Sequence, residues 1–193
     1  MSSVVISGDT SGAVTLAAPA VAGTNTLTLL AATATSSANV LATAVASTSG
    51  TSIDFTSLPA WVKRITVMLQ GVSQNSASQT FILQIGAGSV TTSGYLCSNS
   101  FIAPSTDVGN VTTGFPVNRN VGATATFSGL ATICLMGSNL WAFSALTADT
   151  TNAQNHFGAG SITLGGTLDR VRFTTIGGTA TFDAGSINIL YEG

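Results

Sequence analysis

Residues 50–70 read GTSIDFTSLPAWVKRITVMLQ. Thr51 to Phe55 alternates as a short strand does. Pro59 then fixes its own φ and pushes Leu58 out of the helical region, so Ser57-Leu58-Pro59-Ala60 is a break. From Trp61 to Leu69 the apolar residues Ile65, Val67 and Leu69 recur at every second position, with Arg64 and Thr66 between them. A period of two is that of a strand with one buried face. The stretch also holds Lys63 and Arg64, two of the five basic residues in the chain. It marks the entry into a globular domain, expected over residues 50–193.

Composition supports strands throughout. Apolar residues make up 45% of the 193, enough for one real core. Charged residues make up only 6%, where an ordinary soluble domain has about 25%. Thr (30) and Ser (23) carry the polarity instead, with 21 Gly, whereas Lys and Glu occur once each. Thr favours strands, and Gly with Ser favours turns. A helical bundle would need the Lys and Glu that are missing. About ten short strands follow residue 50. Among those expected are Thr80–Ile85, Tyr95–Phe101, Gly122–Phe127, Leu130–Met136, Asn139–Leu146, Leu168–Thr175, Thr179–Phe182 and Ser186–Tyr191. Loops are expected over 71–79, Pro104–Asn110 and 147–152. The spacing implies an all-β domain, a β-sandwich or jelly roll.

Residues 1–49 differ from the rest. They hold no aromatic residue and only one charge, Asp9. Val4–Ile6, Ala13–Ala17 and Thr24–Leu30 read as short strands, and residues 31–49 as an extended linker. Two or three such strands cannot bury a face by themselves. The segment is therefore expected to be an extended attachment arm, able to reach roughly 160 Å at about 3.3 Å per residue. No run of about 20 residues is apolar enough to cross a membrane as a helix. The N-terminus lacks the basic and apolar regions of a signal peptide. Synthesis and folding in a cytoplasm are expected.

The formal net charge of −2 leaves no basic patch to neutralise phosphates, which argues against a nucleic-acid partner. So little surface charge protects a monomer poorly from association, yet suits packing against further copies of the chain. One His and two distant Cys, Cys97 and Cys134, supply too few ligands for a metal site, and no cofactor is expected. The two thiols are read as small buried side chains.

No nucleophile motif such as G-x-S-x-G occurs, and His156 lacks a nearby acid or nucleophile in sequence, so no catalytic residue is assigned. Asp169, Arg170 and Arg172 form the densest charge cluster. In a strand the two Arg share a face; an ion-pair network with Asp54 or Asp183 explains them better than a clamp for an anionic sugar. Trp141 and Trp61 are assigned to core or interface. The best ligand-binding candidates are neutral side chains of the polar loops: Gln74, Asn75 and Gln79, then Asn152, Gln154, Asn155 and His156. Amides bond hydroxyls at low desolvation cost.

Two stretches resemble bacteriophage tail-fibre-like virion proteins. ISGDTSGAVTLAAPAVAGTNTLTLLAAT (6–33) is similar to a segment common in them, although Leu30 and Ala34 stand where that segment has Pro and Gly. SGTSIDFTSLPAWVKRITVMLQGVS (49–73), together with LDRVRFTT (168–175) and TFDAGSINILYEG (181–193), is similar to a globular domain at the ends of such fibres. The resemblance implies a homotrimeric virion structural protein. Residues 1–49 would join other virion proteins, and the sandwich would bind a host surface glycan or protein. A head fibre or capsid decoration protein is the alternative. The family supplies no catalytic residue to carry over.

Overall fold

The structure, a computed structural model, describes residues 3–7, 13–17, 38–102 and 107–193. The chain divides into two compact units, Met1–Ser36 and Ser37–Gly193. In the first, β1 (Ser3–Ser7) pairs antiparallel with β2 (Ala13–Ala17), with Val5 opposite Thr15. The Thr24–Leu30 strand expected from sequence lies outside the described residues.

The second unit is all-β, with no helix among the described residues. It opens with β3 (Asn39–Leu41), β4 (Val45–Ala46), β5 (Ser52–Thr56), β6 (Arg64–Gln74) and β7 (Phe81–Ala87). Next come β8 (Ser89–Val90), β9 (Leu96–Ile102), β10 (Asp107–Val111) and β11 (Phe115–Pro116). The last five are β12 (Phe127–Gly137), β13 (Leu140–Asp149), β14 (Gln154–Thr163), β15 (Arg170–Thr175) and β16 (Phe182–Glu192). The large sheet runs β10-β9-β14-β13-β12-β6-β16, with β3 and β4 on the far edge of β16. The small sheet runs β11-β7-β15-β5, with β8 on β7. All pairings are antiparallel, and the two sheets form a β-sandwich.

Alternation builds the core between them. Ile65, Val67 and Leu69 of β6 face inward, with Ile187 and Ile189 of β16 and Trp141 and Phe143 of β13. Phe81, Leu83 and Ile85 of β7 and Val171 and Phe173 of β15 meet them from the small sheet. Phe81 is the hub of four rings. Its centroid lies 5.6 Å from Phe127, 5.3 Å from Phe173 and 5.9 Å from Phe182. A second cluster stacks Phe115 on Phe143 at 4.6 Å, with Tyr95 edge-on to Phe115 at 4.9 Å. The Tyr95 hydroxyl accepts the Ile85 amide at 2.8 Å and donates to the Thr91 carbonyl at 3.0 Å.

The elements depart from the sequence expectation in physically informative ways. The expected division at 49/50 falls inside the second unit. β3 and β4 complete the edge of β16, and the buried Ser47 hydroxyl donates to the Ala184 carbonyl at 2.7 Å. Residues 107–110 of the expected Pro104–Asn110 loop pair with β9, which overrides the poor strand propensity of Asp, Gly and Asn. Gly122–Phe127 is not a strand; only Phe127 enters one.

Ser128 and Gly129 lie at a bulge within β12, between the expected strands Gly122–Phe127 and Leu130–Met136. Gly129 has φ +148°, and a Cβ there would lie 2.4 Å from the Leu146 carbonyl oxygen, so only glycine fits. Of the expected strand Thr179–Phe182 only Phe182 is in a strand; it opens β16, which also contains Ser186–Tyr191 and is interrupted by irregularities around Ala184.

Trp141 is buried in the core as expected. Trp61 is half exposed, tilted against Tyr191 at 5.7 Å. Cys97 and Cys134 are free and sit on β9 and β12, with β14 and β13 between them. Burial pushes the Cys97 thiol up to about 11.

Candidate functional site

The topology brings both sequence-predicted binding segments to one end of the sandwich. β6 ends there at Gln74, β13 ends at Asp149, and β14 and β16 begin there. Most of the predicted side chains, however, are engaged in holding the end together. Gln74 is buried and bonds both backbone groups of Ser76, at 2.5 and 2.7 Å. Asn75 accepts the Thr181 amide at 3.0 Å. Gln79 bridges to Val121 through its backbone. Asn152 donates to Asp149 Oδ2 at 2.7 Å, while Asp149 Oδ1 accepts the amides of Thr151 and Asn152. The buried Asp149 therefore organises the turn over 150–153. The polar run expected as a loop is mostly strand: β13 extends to Asp149, and β14 already contains Gln154, Asn155 and His156. Asn155 alone of these three is exposed.

His156 is the clearest correction. It is not a loop ligand but is fully buried, at 0% exposure. Its ring stacks on Phe101 at 5.3 Å and meets Phe127 edge-on at 5.1 Å. Its Nδ1 accepts the backbone amide of Arg119 at 3.0 Å. Two other inward polar residues of the large sheet do similar work. Asn99 donates to the Asn118 carbonyl, and Thr147 donates to the Val117 carbonyl at 2.6 Å. The Asn118 side chain in turn accepts the Phe81 amide at 2.6 Å. Segment 117–119 has no ladder with the large sheet; three side chains from β9, β13 and β14 satisfy its backbone instead, as buried peptide groups require.

The seam has a pH consequence. Burial lowers the His156 pKa below its ordinary 6.5, and the nearby Asp149 carboxylate opposes this more weakly. The unfolded chain therefore takes up a proton that the folded chain resists. The stability His156 contributes is complete above the unfolded pKa and is lost as pH falls below about 6.5. We expect the melting temperature to drop on acidification from pH 7 to 5, and the drop to flatten in His156→Gln, read by thermal melts across that range. An unchanged slope in the variant would assign the drop to another group.

Three of the five basic residues are paired with carboxylates close by. Arg172 forms a two-point pair with Asp54 (2.7 and 2.9 Å), and Arg170 does so with Asp169 (2.7 and 3.0 Å). Arg64 lies 3.4 Å from Glu192. The hydrogen bond from Arg170 holds the Asp169 carboxyl below its usual range. Arg170 and Arg172 share a sheet face, as the alternation predicts, but each is already occupied by a carboxylate. Among the described residues no group of three His, Cys, Asp or Glu is placed to hold a metal ion.

Sequence reading missed the outer face of the large sheet. One register row crosses it: Asn188, Met68, Leu130, Leu146, Phe157, Ser100 and Val108 are successive Cα partners. Five of the seven are large and apolar. Leu130, Leu146, Phe157 and Val108 are 37 to 65% exposed. The flanking row on one side holds Thr66, Thr132, Ser144, Ala159 and Ser98, without a charge. The Arg64–Glu192 pair sits one row further out. With strands about 4.8 Å apart, the row is roughly 30 Å long. Large apolar side chains aligned on an exposed, charge-free sheet face are what an interaction site presents.

The class that fold and surface define is a charge-poor antiparallel β-sandwich with a row of apolar side chains across one sheet face. No family model, curated protein or solved structure matches the chain.

Proposed function

We propose that the protein is a bacteriophage virion structural protein, a short homotrimeric tail fibre. The unit Ser37–Gly193 is displayed outward and meets the host cell surface, and the segment before it attaches to other virion proteins. The apolar row through Leu130, Leu146 and Phe157 carries the reading. Burying it against the same face of further copies removes apolar area from water and desolvates almost no charge. The chain's 6% of charged residues and the resemblance of 6–33, 49–73 and 168–193 to fibre proteins support the same conclusion.

A capsid-bound role, as head fibre or decoration protein, would use the same face against the shell. Gold labelling of the chain on intact particles separates the two. Label confined to one vertex is the expected result; label spread over the shell would replace the tail assignment with the capsid one.

A further inference from the structure

Residues 117–121 belong to the small sheet by their backbone. They continue β11 along β7: the Val117 amide donates to the Phe81 carbonyl at 3.0 Å, and Gln79 and Val121 exchange both backbone bonds, at 2.9 and 2.7 Å. The large sheet grips the same segment by side chains, through Asn99, Thr147 and His156. This seam therefore fastens one sheet to the other along the flank that carries β9, β11 and β14.

The three grips are not alike. Asn99 and Thr147 donate to the carbonyls of Asn118 and Val117, and neither side chain titrates. His156 accepts. Its Nδ1 takes the Arg119 amide at 3.0 Å, so the ring must be neutral with its proton on Nε2. Nε2 is itself buried without a hydrogen-bond partner. A proton added at Nδ1 sets N–H against N–H, and the resulting cation has no bonded acceptor inside the protein.

The groups around the ring do little to offset this. β9 and β12 present the uncharged rings of Phe101 and Phe127. From β13 comes the Asp149 carboxylate, which favours the cation, but its oxygens already accept from Thr151 and Asn152. Arg119 directs Nη2 to the Val108 carbonyl on β10 at 3.4 Å, and its charge has the sign that opposes an imidazolium.

We propose that His156 is an acid-released latch, whose protonation frees the segment around Arg119 from the large sheet while the ladders of both sheets stay intact. The direction follows from linkage. Burial lowers the His156 pKa in the closed seam, and exposure on opening returns it to the ordinary 6.5. Opening is therefore unaffected by pH well above 6.5. Below that it grows by up to about tenfold per pH unit, and it levels off beneath the closed-state pKa. The latch says where the acid-induced loss of stability begins, and it does not depend on the proposed virion role.

Amide hydrogen exchange of the ¹⁵N-labelled full chain at pH 7 and pH 5, corrected for the intrinsic exchange rate at each pH, tests the latch. The protection of the Arg119 amide is expected to fall about tenfold or more on acidification. The amides of Val117 and Val121, bonded to β7, and of Ile133 and Phe143 in the large sheet are expected to keep theirs. In His156→Gln, which cannot titrate, the fall at Arg119 should vanish. Thr147→Val removes a grip that does not titrate, so protection at Arg119 should be lower at both pH values with the fall retained.

Constant protection of Arg119 in the unaltered chain overturns the latch. So does an equal loss at Ile133 and Phe143, which would mean that acid unfolds the sandwich as a whole, or a fall that persists in His156→Gln. Should that variant not fold, the comparison of Arg119 with Ile133 and Phe143 in the unaltered chain decides alone.

Discussion

Leu146→Arg is expected to turn the proposed trimer into a folded monomer. Leu146 sits at the middle of the apolar row, between Leu130 on β12 and Phe157 on β14. It is 55% exposed in the single chain, so a guanidinium there meets water and leaves the sandwich intact. In the assembly every copy would bring an unpaired charge into a dry contact, at a cost of several kcal/mol per copy. About 3 kcal/mol weakens association on the order of 100-fold. Sedimentation velocity reads the change. Thr56→Arg adds the same charge on an exposed position of β5 in the small sheet, and there the assembly should persist. An unchanged oligomer in Leu146→Arg would show that a different surface holds the copies together.

Phe81→Ala is expected to produce the largest loss of stability. Phe81 is fully buried and touches three other rings, Phe127 from the large sheet, Phe173 from β15 and Phe182 at the start of β16. Truncation removes the ring's transfer free energy and leaves a cavity that three rigid rings cannot close. The cost should be about 3–5 kcal/mol. That is a large share of the 5–15 kcal/mol that a typical domain has in total. For a chain of this length it corresponds to a melting temperature lower by about 10 °C. Circular dichroism melts check it; a shift of a degree or two would mean that Phe81 is not the hub.

The parts of the fold that follow the two-residue period were legible. Ile65, Val67 and Leu69 point inward as read, and β7, β13 and β15 lie near their expected positions. β14 was not legible because its alternation is inverted. The inward positions hold His156 and Gly158, and the outward ones hold Asn155, Phe157 and Ala159. The reason is tertiary. A Cβ on residue 158 would come within 2.0 Å of the Pro116 carbonyl oxygen, so β11 passing across the strand demands glycine. His156 faces inward to accept the Arg119 amide.

Neither requirement leaves a mark in local sequence. Phe157 was therefore invisible as a surface residue, and with it the apolar row, since a row is a property of register between strands far apart in the chain. Two of the loop candidates are engaged for a related reason. Asn152 and Gln74 have the chemistry of ligand contacts, but Asp149 and Ser76 take up their hydrogen bonds.

The mass of the purified chain in solution tests the self-packing of the large sheet most directly. Multi-angle light scattering at micromolar concentration is predicted to return three times the 19.3 kDa of one chain. A single species of 19.3 kDa, soluble and stable with Leu130, Leu146 and Phe157 open to water, would contradict it.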